Sequence, residues 1–389
     1  MKRGFVLGRF MPPHAGHVTL IRSARALVDE LTILLCSLPN DPIPGEERVA
    51  WMRELFPDCR IVWQSNPAPQ ETSNDPDFWE IWTGIIERSH PERIDYVFAG
   101  EDNGAELAAR LAATFVPLGG RILNADVNAI GGLTARAVRA DPWRHWDYLP
   151  RPVRNHYAVT ICLHGIESVG KSTLAQRLAD HYRTTLVPEY GRAHCETHGT
   201  DCREEDLMLI GEAQQATIEA ARPWANRVLI ADTDALMTAA WSQMMIGYMP
   251  DQLICHRKAD LYLMLDADVP FVDDGTRVYK TAEARERFHR IVRDTLAVSR
   301  TNFIEIRGSW DERFDAAVQA DRGNRLTTTA RLRQTLCRPQ PLRRDGGHGN
   351  FLDLVEGASH LPGRIRPRAS FGALRGFLSM RYGSACAAF

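Results

Sequence analysis

Leu163–Ala179 reads LHGIESVGKSTLAQRLA. Gly165, Gly170, Lys171 and Ser172 meet the pattern G-x-x-x-x-G-K-[ST], and Thr173 follows. The apolar run YAVTICLHG before the loop predicts a buried strand, and KSTLAQRLADHY after it has helical spacing. A loop set between strand and helix gathers backbone N–H groups and the positive end of a helix dipole, which is what several phosphate charges require. Lys171 in such a loop reaches the β- and γ-phosphates of a nucleoside triphosphate, and the Ser172 hydroxyl ligates Mg2+. The stretch therefore predicts a P-loop domain that takes ATP as co-substrate.

Outward from it, RTTLVPEYG, RVLIADTD, ADLYLMLDAD and NFIEIRG read as further strands. EEDLMLIGEAQQATIEAARPWA, TAEARERFHRIVRDTLAVS and, last, WDERFDAAVQA read as helices. This alternation predicts a doubly wound parallel sheet. Asp232 and Asp234 close the run VLIADTD, where a carboxylate serves to hold the metal or to draw a proton from an acceptor hydroxyl; Asp234 also reads as the cap of a following helix. Glu189, Tyr190 and Arg192 follow a strand end, the place where open α/β sheets bind ligands. A carboxylate there accepts ribose hydroxyls and a tyrosine ring stacks on a base. Arg277, in FVDDGTRVYK, reads either as a lid over the phosphates or as a surface arginine. The cluster HCETHGTDC holds His194, Cys195, His198 and Cys202, without the spacing of a standard zinc module.

A second glycine-rich loop, GFVLGRFMPPHAGHVTL, opens at Gly4. It too follows a short apolar strand, and the helix after it begins at a His-x-x-His pair. His14 and His17 lie one turn apart, so both imidazoles face one point at a helix start. No third ligand lies near enough in sequence for a metal site, so imidazole N–H groups on phosphate are the better reading. LTILLCSL, EERVAWMRELF, RIVWQ, FWEIWTGIIER, DYVFAG and GAELAARLAAT continue a strand–helix alternation. The Pro-rich, aromatic RADPWRHWDYLPRPVRNH suits a seam between domains at 1–150 and 156–320.

The remainder differs in kind. From Asp321 onward stand twelve arginines, no lysine and four acidic residues, leaving 35 basic and 45 acidic residues before it. Residues 321–389 therefore read as a poorly ordered tail, or alternatively as a basic arm for nucleic acid or anionic lipid. No apolar run approaches the roughly 20 residues that span a bilayer. Eight scattered cysteines without a C-x-x-C pair predict reduced thiols and a cytoplasmic protein.

GRFMPPHAGH resembles the G-x-F-x-P-x-H-x-G-H signature of the nucleotidyltransferase superfamily. With GEDNGAELAARLAATFVPL, RAVRADPWRHWDYLP, the Leu163 loop and VPEYGR, the order from about residue 3 to 320 is similar to that of the bifunctional NadR family. The resemblance implies a nicotinamide-mononucleotide adenylyltransferase domain, Rossmann-like, joined to a P-loop ribosylnicotinamide kinase domain. It implies an ATP site at Gly8, Arg9, Phe10, His14 and His17, with Arg139 on the triphosphate. It assigns Gly165 to Thr173 to the kinase's ATP, Asp232 to its catalytic or metal-bound carboxylate, and Glu189, Tyr190 and Arg192 to the riboside. Trp79 and Trp82 are expected either in the nicotinamide pocket or in the core. One departure stands out: Arg136 occupies a position where the family's arginine element carries a threonine. The expected ligands are ATP, Mg2+, nicotinamide riboside, NMN and NAD, with no DNA, because no helix-turn-helix precedes Gly4; a homo-oligomer is compatible with the sequence. Two rival readings are a kinase whose first half only binds nucleotide, and a non-catalytic NAD/ATP sensor.

Overall fold

The computed structural model describes residues 1–69, 75–100, 103–118, 133–270 and 278–336, with side chains to Asn324. The first half is a five-stranded sheet of β1 (Arg3–Gly8), β2 (Glu30–Cys36), β3 (Arg60–Gln64), β4 (Tyr96–Ala99) and β5 (Thr114–Pro117), in the order β3-β2-β1-β4-β5. Every pairing is parallel. Central β1 is buried from Gly4 to Gly8, as a strand covered on both faces must be. α1 (Ala15–Arg25), α2 (Gly45–Leu55), α3 (Phe78–Ser89) and α4 (Asn103–Arg110) connect the strands. The order reverses between β1 and β4, so the loop leaving β1 sits at the crevice where such sheets take ligands.

The second sheet contains β6 (Val159–His164), β7 (Leu186–Val187), β8 (Val228–Asp232), β9 (Leu261–Leu265) and β10 (Phe303–Ile306), ordered β10-β9-β6-β8-β7 and again all parallel. β6 is wholly buried between β8 and β9, and the Leu163 stretch emerges from its C-terminal end. Two short helices, α5 (Ala135–Ala140) and α6 (Arg151–Tyr157), come between the sheets. α7 (Lys171–Tyr182), α8 (Tyr190–His198), α9 (Glu204–Ala221), α10 (Ala235–Met245), α11 (Asp251–Cys255), α12 (Ala282–Val298) and α13 (Trp310–Leu336) complete the chain.

Three features depart from the sequence expectation. LAAT does not extend α4: Ala112 takes a positive φ of 50°, and TFVP becomes edge strand β5. ALMTAAWSQMM forms the largely buried α10, whose near-continuous apolar surface carries no helical period to read. The last helix does not stop at Ala320 but continues to Leu336; Asp321 is fully buried and accepts a hydrogen bond from the Tyr182 hydroxyl at 2.8 Å. The arginine-rich sequence from residue 337 on, Arg277, and the segment 119–132 lie outside the described residues.

Candidate functional site

The turn from β1 to α1 is built by its own histidines. His14 is the N-cap of α1: its Nδ1 accepts the Gly16 N–H at 3.2 Å, while the His14 N–H donates to Nδ1 of His17 at 3.2 Å. Each ring therefore spends Nδ1 as an acceptor, and its hydrogen resides on Nε2. Burial, reinforced by neighbouring His17 and His145, holds the His14 imidazole well below its ordinary pKa, so the ring is neutral. Its Nε2 is buried without a hydrogen-bond partner, a donor that costs about 1–3 kcal/mol until an acceptor arrives. Phe10, with a positive φ of 49°, packs edge-on against His17.

A fully buried arginine braces this turn. Arg48 donates to the carbonyls of Arg9 at 2.6 Å and Cys36 at 3.2 Å and pairs with Asp41, which also pairs with Arg9. Neither Arg48 nor Asp41 was legible in the sequence, because the brace joins residues from separate loops and helices. Arg139, on α5, donates to the Met11 carbonyl and so stands beside the same turn, while Arg136 is exposed. Trp82 is a core residue: it is fully buried and its indole donates to the Pro69 carbonyl at 2.9 Å. Trp79 is half-buried beneath the Arg110 guanidinium.

The β6–α7 loop uses backbone where the first turn uses side chains. Gly165, Ser168 and Gly170 all have positive φ (141°, 60° and 88°). A Cβ on Gly170 would fall 2.3 Å from the Trp310 ring. The loop carbonyls of Ile166, Glu167 and Val169 accept hydrogen bonds from Lys171 (3.0 Å), Arg285 (3.0 Å) and Arg313 (2.7 Å). Carbonyl oxygens repel anions, so tying three of them to cations favours a loop that receives phosphate. Ser172 and Thr173 stand exposed at the start of α7. On the adjacent strand, Asp232 is buried, its Oδ1 without a hydrogen-bond partner. Asp234 is used differently. It caps α10 and accepts from His164 Nε2 at 2.8 Å and the Tyr262 hydroxyl at 2.7 Å. Burial raises its pKa, but the hydrogen bonds and His164 more than offset this and leave it below the usual carboxylate range.

Beside Lys171 opens a cavity of about 850 Å3, counting its mouth, lined by Glu189, Arg192, Gln214, Thr233, Trp241 and Val278 among others. Glu189 and Arg192 stand in the lining; Tyr190 is absent from it, and its N–H instead donates to Gln214 Oε1 at 2.7 Å. The same amide donates through Nε2 to the Thr233 carbonyl at 3.2 Å. Gln214 thereby ties the Glu189 wall to the end of β8, where Thr233 holds a positive φ of 77°. The aromatic face of the cavity is Trp241, stacked on Tyr279 at 5.7 Å. Sequence reading missed Gln214 and Trp241, since both come from helices and carry no local motif. Glu167 fixes the far side by accepting the N–H groups of Val278 and Tyr279, each at 3.1 Å. Among the described residues, Cys162, His164 and Asp234 are the set that brings three ligand atoms within 4.8 Å, and Asp234 there is committed to its cap. No described helix is long and apolar enough to cross a membrane.

The comparisons with known proteins follow this division. The Cytidylyltransferase-like family matches residues 5–124 and the AAA domain family residues 160–313. The Trifunctional NAD biosynthesis/regulator protein NadR of Escherichia coli (strain K12) is 27% identical over 342 residues, covering 81% of this chain and 82% of that one. A nicotinamide-nucleotide adenylyltransferase of Methanococcus vannielii is 24% identical over 149 residues, covering 37% of this chain and 82% of its own. A crystal structure of NadR protein in complex with NR matches with a TM-score of 0.67 at 21% identity, over 83% of this chain and 96% of that one. Another, in complex with NAD and AMP-PNP, matches with a TM-score of 0.66 at 21% identity, over 88% of this chain and 98% of that one. Both halves are matched in the same order and one relative aligns across four-fifths of each chain, so this chain is similar to NadR proteins along most of its length.

Proposed function

We propose that the two cradles serve two successive ATP reactions in NAD biosynthesis. The 156–320 half transfers the γ-phosphoryl group of ATP to the 5′-hydroxyl of nicotinamide riboside, giving NMN. The 1–150 half then joins NMN to a second ATP: a phosphate oxygen of NMN attacks the α-phosphorus, and pyrophosphate leaves, giving NAD. The observation that carries the reading is the pairing of the Lys171 loop with an adjoining cavity whose walls carry Glu189, Arg192 and Trp241. The relatives support it, being named for NAD biosynthesis and solved with NR, NAD and AMP-PNP.

In the kinase half Lys171 neutralises the transferring phosphate, Glu189 accepts ribose hydroxyls, and Trp241 offers its face to the cationic pyridine ring. Ser172 and Asp232 are the residues that would hold Mg2+: an exposed hydroxyl and a buried, unpartnered carboxylate oxygen suit a hard cation, which would neutralise phosphate charge. In the first half His14 and His17 donate Nε2–H to the triphosphate and Arg139 adds its charge. Arg136 points to solvent, so the departure from the family pattern leaves Arg139 beside the turn and favours an active adenylyltransferase over a binding-only one. The protein is expected to act in the cytoplasm.

Mass-spectrometric product analysis with ATP, Mg2+ and nicotinamide riboside tests the proposal. NMN followed by NAD is the expected outcome; NMN alone would reduce the protein to a kinase, and no product would leave a sensor.

A further inference from the structure

The motif HCETHGTDC has no part in either reaction, yet the fold brings its two thiols together at the riboside cavity. Cys195 lies on α8 and Cys202 in the turn before α9, with sulfurs 3.8 Å apart. Both are free, half-buried and on the cavity lining, on the same side as Arg192. Between them Gly199 has a positive φ of 92° and open space where a Cβ would stand, so the turn has room to shift. A disulfide requires the sulfurs to approach by roughly 2 Å, a movement of one short turn.

We propose that Cys195 and Cys202 form an oxidation site at the riboside cavity: a low-molecular-weight disulfide converts them to a protein disulfide, which impairs riboside phosphorylation and leaves adenylyl transfer untouched. The proposal rests on the reading of the cavity as the riboside site. The chemistry is thiol–disulfide exchange. The Cys202 thiolate attacks one sulfur of the reagent R–S–S–R, forming Cys202–S–S–R and releasing R–S⁻, which takes up the proton that Cys202 lost. The Cys195 sulfur then attacks the Cys202 sulfur; the bond to R–S breaks, and the second R–S⁻ leaves with the Cys195 proton. Two protein thiols are oxidised and one reagent disulfide is reduced to two thiols.

Electrostatics order the steps. Burial raises both thiols, Cys195 to about 12, whereas an S–H donated by Cys195 favours the thiolate at Cys202. Exchange is therefore slow at neutral pH and quickens in mild alkali. Closure pulls the turn against α8, whose first residues carry Gly191 and Arg192 on the cavity wall. A displacement of about 1 Å at a positioning residue suffices for large rate losses.

The test uses the full chain, glutathione disulfide at pH 8.5, removal of reagent, and separate assays of riboside phosphorylation and of NAD formation from NMN. The expected result is a Cys195–Cys202 linked peptide, a fall of about tenfold or more in kcat/KM for the riboside, unchanged NAD formation, and recovery with dithiothreitol. Cys202→Ser, which lacks the attacking thiol, keeps under the same treatment the rate it had before it. A linked peptide with undiminished phosphorylation, adducts of glutathione alone, or equal inhibition of Cys202→Ser would each overturn the proposal. If untreated enzyme phosphorylates no riboside, the assignment of the cavity fails, while the linked peptide still decides whether the thiols pair.

Discussion

The two cradles solve one electrostatic problem with different parts. At the β1–α1 turn the donors are side chains: two imidazoles whose Nδ1 atoms are fixed by backbone N–H groups, so that Nε2 holds the hydrogen. At the β6–α7 loop the donors are backbone groups, shaped by positive φ at Gly165, Ser168 and Gly170 and by cations on three carbonyls. The first cradle stores its strain as a buried, unpartnered imidazole nitrogen, the second as backbone conformation. A side-chain cradle should tolerate changes that keep its cap and fail when its donor goes; a backbone cradle should fail at glycine.

Gly170→Val presses that contrast hardest. The branched side chain meets both a left-handed backbone and the Trp310 ring, so riboside phosphorylation should fall about 10³-fold or more in steady-state assays, with NAD formation from NMN retained. His14→Asn is the counterpart. Asn is a favoured N-cap and keeps an acceptor for Gly16, so the fold should persist, but the Nε2 donor is gone; adenylyl transfer should drop about 10²–10³-fold while phosphorylation is spared. Gln214→Leu strips partners from the Tyr190 N–H and the Thr233 carbonyl and should cost about 2–4 kcal/mol in urea unfolding.

The smallest effect is on pH dependence. Burial depresses His14 in the folded protein, so below pH 6.5 the unfolded ring takes a proton that the folded one refuses, and stability is lost as pH falls through the folded value. His90 and His145 are depressed as well, burial again leading. His14→Asn should therefore flatten the loss between pH 7.5 and 5.5 by up to about 1 kcal/mol, and a slope equal to that of the parent would mean that the imidazole is not held neutral.

Both cradles were legible because each is a short run of sequence whose spacing alone places donors at a helix start. The strands around them were legible too, as apolar runs fit for burial on both faces. The cavity was only half legible. Glu189 and Arg192 follow a strand, but Gln214 and Trp241 come from α9 and α10, and α10 has no polar face to give a period. Trp82 shows the reverse difficulty: an aromatic pair at helical spacing can face a ligand or the core, and only packing decided for the core. The Arg48–Asp41 brace is likewise tertiary, with the Arg9 carbonyl thirty-nine residues from its donor.

The most direct test of two independent ATP sites is Lys171→Ala assayed in parallel on nicotinamide riboside and on NMN, each with ATP and Mg2+. Phosphorylation is expected to fall about 10²–10³-fold while NAD formation from NMN keeps the parent rate. Equal loss of both activities, or phosphorylation left intact, would contradict two separate sites.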